Sequence, residues 1–167
     1  MAASKRGVAS PEKRHAQVDA LTPEATEHTV QLAEHERVWV TGDVHIAPYD
    51  DQRASEFLGF LRACRSQADR LVIFGDLFDY WIGPQHAYAC AYEPVIQALL
   101  EAREAGFPVE FLPGNRDFLG PNELQGVGLA PLGDCVGYER GAERILVTHG
   151  DLLVAEDHSY RRFRAVV

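Results

Sequence analysis

The sequence predicts an α/β fold, and three observations carry that prediction. Short apolar runs of strand character alternate with amphipathic helical segments over roughly 30–35 residues, as in a sheet with parallel strands. Two of the runs, "LVIF" (71–74) and "ILV" (145–147), are unbroken, which fits strands covered on both faces. Polar residues then cluster where the runs stop, and in open α/β folds the site lies outside the carboxyl ends of the strands.

Residues 1–36 are polar, mixed in charge and poor in large apolar groups. They bury too little to offset the entropy of ordering, so a disordered arm is expected. The alternative is a short helix from Thr22 to Glu36, where Thr22 offers an N-cap and Pro23 follows it. From Arg37 the character changes, and 37–167 is the expected folded domain. "RVWVTGD" (37–43) reads as a strand that ends in a loop at Gly42. "ASEFLGFLRACRSQA" (54–68) places Phe57, Leu58, Leu61 and Cys64 on one helical face. "DRLVIFG" (69–75) is the next strand. "ACAYEPVIQALLEAREAG" (89–106) reads as one helix stopped by Gly106. "FPVEFLPG" (107–114) and "ERILVTHG" (143–150) are later strands, and no internal repeat appears.

The chain has 167 residues, enough for one sizeable core. Its 25 acidic against 16 basic side chains leave a formal charge of −9, which argues against general nucleic-acid binding. A phosphorylated substrate held through metal ions in a small acidic site remains compatible with that charge. Cys64, Cys90 and Cys135 are odd in number, widely spaced and without a CxxC, so each is expected as a small buried hydrophobe. The sequence contains no run of 18 apolar residues, and "MAASKRGVASPEKRHAQVDA" lacks the apolar core of a secretory signal, so a cytoplasmic location is expected.

Four strand ends carry short polar signals: "GDVH" (42–45), "GDLFD" (75–79), "GNRD" (114–117) and "HGD" (149–151). Three have a glycine directly before the polar group, which permits the turn that points a side chain inward. If the strands are neighbours, Asp43, His45, Asp76, Asn115 and His149 converge. Carboxylates, an amide oxygen and imidazoles form a mixed O/N donor set suited to Mn²⁺, Fe²⁺ or Zn²⁺. A carboxylate such as Asp76 can bridge two ions, and a pair about 3.5–4 Å apart can clamp a phosphoryl group and activate water. Singly, each of these residues has a blander reading. An Asp after a strand is often a turn former, and His15, His28, His35 and His86 read as surface or satisfied histidines. Asp79 reads either as a cap or as an orienter of a ligand histidine. Tyr80 and Trp81 read either as core aromatics or as pocket walls.

The ordered set "GDVH…GDLFDYW…GNRDF…HGD" resembles the calcineurin-like metallophosphoesterases. Within that superfamily, "GDLFDYWIG", "PGNRDFLG" and "HGDLL…EDHSYRRFR" are similar to the UDP-2,3-diacylglucosamine diphosphatases of lipid A biosynthesis. The resemblance spans roughly residues 37–166 and implies a sandwich of mixed sheets flanked by helices. It implies two divalent ions, Mn²⁺ in the first instance. Asp43 and His45 would hold one ion, Asn115 and His149 the other, with Asp76 bridging. It also implies Asn115, Arg116 and His149 as catalytic residues, and Asn115, Arg116, Asp157, Tyr160 and Arg164 as substrate-binding ones.

Arg116 stands where the superfamily commonly has a histidine that serves as acid. Arginine keeps its proton near neutral pH, so its part would be to hold phosphate or developing charge. The implied reaction is hydrolysis of the pyrophosphate of a nucleotide-sugar lipid to a lipid monosaccharide 1-phosphate and UMP, with peripheral contact at the inner membrane. The family pattern ends in G-H-x-H, which these residues lack, so a fold incomplete at the C-terminus is expected. Spare histidines such as His158 and His86 sit in no such motif. Two alternatives stay open: a phosphoesterase with another phosphoester substrate, and an inactive remnant.

Overall fold

Leu71, Val72 and Ile73 are all fully buried, yet they do not share one core. Leu71 and Ile73 pack with Phe57, Leu61, Cys64, Val95 and Leu99, whereas Val72 packs with Leu112, Val136 and Tyr138. The alternation is the period of a strand, whose successive side chains point to opposite faces. One face of this sheet is covered by helices and the other by a second sheet, so the strand must be apolar throughout.

The computed structural model describes residues 27–117, 129, 131–154 and 156–166. In chain order the elements are β1 (Glu27–Gln31), β2 (Val38–Thr41), α1 (Asp51–Gln67), β3 (Arg70–Phe74), α2 (Pro84–Cys90) and α3 (Glu93–Glu104). β4 (Val109–Leu112), β5 (Cys135–Arg140), β6 (Glu143–Thr148) and α4 (His158–Val166) follow. β2, β3 and β4 form a parallel sheet in that order. β1, β5 and β6 form the second sheet, with β1 parallel and β6 antiparallel to β5. The expected α/β architecture of mixed sheets flanked by helices is therefore present. Among the described residues, no helix is long and apolar enough to cross a membrane.

The fold departs from the sequence reading at three places. Residues 1–26 of the expected arm lie outside the described residues, but 27–36 are part of the fold. β1 pairs with β5 along its whole length, from Glu27↔Cys135 to Gln31↔Glu139, and half-buried Val30 and Leu32 join the core between the sheets. Neither an arm nor a helix occupies 27–31. Pairing supplied by β5, remote in sequence, decides the matter over local composition. Second, 89–106 is not one helix. α2 ends at Ala91 in the left-handed conformation (φ 58°), and α3 starts again with Pro94 in its first turn. Proline cannot donate to the carbonyl four residues back, and the Tyr49 N–H takes that Cys90 carbonyl at 3.0 Å. Third, "ILV" is not covered on both faces. In β6 Ile145 is 62% exposed, and Val40 of the neighbouring edge strand β2 is 48% exposed.

α1 begins at Asp50, whose side chain accepts from Arg53 N at 2.9 Å as an N-cap. Its buried face is Phe57, Leu61 and Cys64. All three cysteines are free and buried, as expected.

At the end of the sheets opposite the strand tips, Arg70 bridges Glu36 at 2.8 Å and Glu110, and the Tyr138 hydroxyl donates to Glu110 at 2.6 Å. Glu110 lies on β4 and Tyr138 on β5, so this partly buried network ties one sheet to the other. Arg70→Met should destabilise the fold by about 2–4 kcal/mol, because it strands two partly buried carboxylates. Urea denaturation measures this, and a loss under about 0.5 kcal/mol would show that water satisfies both acids.

Candidate metal centre

The three parallel strands end level with one another, with Thr41 opposite Ile73 and Ile73 opposite Phe111. Each runs into a loop that carries polar side chains. The first two loops lie alongside each other: Asp43 N donates to Gly75 O at 3.1 Å, His45 N to Asp76 O at 2.9 Å, and Ile46 N to Leu77 O at 3.0 Å. To follow this path Asp43, His45 and Asp76 adopt left-handed backbone angles, with φ of 51°, 52° and 53°. Each such residue costs about 1–2 kcal/mol, and such strain persists only where surroundings enforce it.

Asp117 is the enforcing group between the second and third loops. Its carboxylate, fully buried, accepts from Gly114 N at 2.7 Å, Leu77 N at 2.9 Å and Asp76 N at 3.2 Å. Burial pushes its pKa up to about 6, against these three donors, which favour the charged form. In return Arg116 N donates to Asp76 Oδ1 at 2.9 Å. The loops meet backbone to backbone. A Cβ on Gly75 would stand 2.6 Å from Gly114 Cα, and one on Gly114 would overlap Asp76 Oδ1. These two glycines are required by close approach.

With Oδ1 engaged, the other oxygen of Asp76 faces the cluster. Asp76 is 2% exposed, and its Oδ2 lies 3.6 Å from His45 Nε2 and 3.8 Å from His149 Nε2. His45 Nε2 is also 3.7 Å from Asp43 Oδ1, and Asp43, Asp76 and His149 offer donor atoms all within 4.8 Å of one another. His149 Nδ1 is 2.9 Å from the Phe74 carbonyl, so the ring proton belongs there and Nε2 keeps its lone pair. That lone pair faces Asn115 Oδ1 at 3.1 Å. Lone pairs and a buried carboxylate that converge without protons between them call for a cation. Ligands bonded at about 2.1 Å to one ion lie roughly 3.0–3.4 Å apart at octahedral or tetrahedral angles. Asn115 and His149 stand at that spacing, and the 3.6–3.8 Å separations around Asp76 Oδ2 would close by a few tenths of an ångström on an ion. The donor set fits a divalent ion.

The family model described as calcineurin-like phosphoesterase matches residues 36–166. The chain belongs to the calcineurin-like phosphoesterase family. It is 38% identical over 141 residues to a UDP-2,3-diacylglucosamine hydrolase of Bordetella parapertussis, covering 82% of this chain and 54% of that protein. Similar proteins of the same name occur in Stenotrophomonas maltophilia, 40% identical over 74% of this chain and 50% of the relative, and in Proteus mirabilis, 36% identical over 75% and 52%. The chain thus spans about half the length of the curated relatives it matches.

This phosphoesterase domain brings all five expected ligand residues together. The expected substrate residues are placed more diversely. Asn115 and Arg116 are exposed beside the cluster. Asp157 caps α4, its Oδ1 accepting from Tyr160 N at 3.0 Å. Arg164 does not turn to the cluster: it pairs with Asp151 and Asp134 and is only 12% exposed. Tyr160 donates its hydroxyl to the same Asp151. An arginine held between two carboxylates has its charge spent internally, so a direct substrate role through Arg164 is set aside.

Asp79 stands 3.6 Å from His45 Nδ1, the side away from the cluster, which favours the orienting reading over the cap. Trp81 is fully buried and stacks on Phe78, a core aromatic, whereas Tyr80 is 47% exposed. His86 meets Cys90 Sγ at 3.0 Å, away from the cluster. Asp117 is the functional residue that sequence reading quoted but left without a role. The available signal was a lone carboxylate directly before an apolar residue in "PGNRDF".

Asp117→Ala leaves three buried N–H groups unpaired and should cost at least about 3 kcal/mol. A urea midpoint within error of the parent's would refute the clamp. Gly114→Ala should abolish divalent-metal binding by isothermal titration calorimetry, because the new methyl displaces Asp76; unchanged affinity would contradict the placement of that carboxylate.

Proposed function

We propose that this domain hydrolyses the pyrophosphate of UDP-2,3-diacylglucosamine, adding water to release UMP and the lipid monosaccharide 1-phosphate. The observation that carries the reading is the position of Asp76 Oδ2, between the Nε2 atoms of His45 and His149. A carboxylate oxygen flanked on both sides is suited to bridge two cations. The shared name of the relatives supports the substrate. Asp43 and His45 would hold one ion and Asn115 and His149 the other, with Mn²⁺ as the proposed metal.

When bound, the pair supplies Lewis-acid polarisation of a phosphoryl group and a nucleophilic water at neutral pH. The chain's own residues do the rest. Phe74 O holds the proton of His149 on Nδ1 and so keeps Nε2 free to bind. Arg116, anchored through its backbone to Asp76, presents an exposed guanidinium at the rim. It meets phosphate oxygens and stabilises charge that develops on them, and it donates no proton to the leaving group. Asp157, at the start of α4, is the proposed contact to the nucleotide sugar, whereas the Tyr160 hydroxyl is engaged with Asp151 and Arg164. A substrate with two acyl chains lies in a bilayer, so the domain works as a peripheral protein at the cytoplasmic face of the inner membrane.

Mn²⁺-dependent release of UMP from UDP-2,3-diacylglucosamine should be seen with the parent chain and lost in Asp76→Ala. Equal rates in the two would remove the bridging role, and release from a simple phosphodiester but not from the nucleotide lipid would redirect the substrate. Arg116→Ala should lower kcat by roughly 10²–10³-fold, the range found when a charge-stabilising donor is removed. A change confined to KM would mean that Arg116 only binds.

A further inference from the structure

We infer that Arg164 is a positioning residue that fixes the strand end carrying His149; this rests on the metal reading above. In the second sheet Cys135 of β5 lies opposite Thr148 of β6. Asp134 immediately precedes that pair on one strand, and His149 immediately follows it on the other. Arg164 reaches across both chain ends. Its Nη2 meets Asp134 Oδ1, while Nη1 donates to Asp151 Oδ2 at 2.5 Å and to Tyr160 Oη at 2.8 Å. The Tyr160 hydroxyl donates to Asp151 in turn.

The need for such a clamp lies in Gly150. It separates His149 from Asp151 at φ 94°, and its N–H makes a long 3.4 Å bond to Thr148 Oγ1. A left-handed glycine directly after a ligand is a pivot about which the strand end could swing. The imidazole is held at Nδ1 by Phe74 O, but that bond orients the ring only if the backbone beneath it is fixed. With Asp151 tied to Asp134 through one guanidinium, the chain on either side of the Cys135–Thr148 pair cannot part. The planar fork of arginine serves two carboxylates at once, which an ammonium does less well. Asp151 and Arg164 are 9% and 12% exposed, so water competes little for these bonds.

The test is Mn²⁺ affinity, measured by calorimetry on the full 167-residue chain, for the parent, Arg164→Met, Arg164→Lys and His149→Ala. Val136→Ala, in the core between the sheets and away from the cluster, is a control for lost stability alone. Arg164→Met should weaken Mn²⁺ roughly tenfold, as removal of an orienting partner does. Arg164→Lys should restore part of that loss, and Val136→Ala should leave affinity unchanged. If Arg164→Met does not fold, Asp134→Asn and Asp151→Asn each remove the charge of one arm and should each weaken binding. Parent-like affinity in the arginine variant, or in both asparagine variants, with weak binding in His149→Ala overturns the clamp alone. Parent-like affinity in His149→Ala, or a parent that binds no Mn²⁺, overturns the metal reading and the clamp with it.

Discussion

One carboxylate, that of Asp117, holds the phosphoesterase site together from beneath. It collects the N–H groups of Gly114, Asp76 and Leu77, which belong to the loops after two adjacent strands. Without it those loops would lose the bonds from Asp76 N and Leu77 N that join them, and the left-handed turn at Asp76 would lose much of its support. Because Asp76 is fixed at its backbone and at Oδ1, only Oδ2 is available to the two imidazoles. Both imidazoles stand within 3.6–3.8 Å of that oxygen, and Asp43 and Asn115 stand against the imidazoles in turn.

Three residues in left-handed conformation within one small site cost several kcal/mol together. The ladder between the loops after β2 and β3 offsets part of this, since Asp43 and His45 donate through their own N–H groups and Asp76 accepts at its carbonyl. The rest is carried by the body of the fold. The alternation of Leu71, Val72 and Ile73 sends one strand's side chains into two separate cores, and each fully buried aliphatic contributes about 1.5–3 kcal/mol. A sheet held from both faces is stiff enough to keep strained loops in register at its edge.

Charge is used differently at the two ends of the sheets. At the strand tips, acids and imidazoles converge, an arrangement that favours metal. At the far end Arg70 neutralises Glu36 and Glu110, and near α4 Arg164 neutralises Asp134 and Asp151. Both arginines are spent inside the protein. Arg116 is exposed at the rim and is the guanidinium suited to meet an anion there.

By itself the sequence determined the central parallel strands, a helix expected over 54–68 and found at 51–67, and the residues that form the cluster. Apolar runs ended by Gly-Asp and Gly-Asn are local signals, and a ligand must stand at a strand end whatever surrounds it. Only the tertiary structure decided which sheet β6 joins, that 27–31 is a strand, and that the helix expected over 89–106 breaks. A polar strand exists because β5 pairs with it, and a helix break becomes stable when Tyr49 takes the carbonyl that Pro94 leaves unpaired. The same holds for Asp117 and Arg164. Both are ordinary charged residues in the sequence, and their roles arise largely from partners such as Leu77 and Asp134, 40 and 30 residues away, that only folding brings within hydrogen-bond distance.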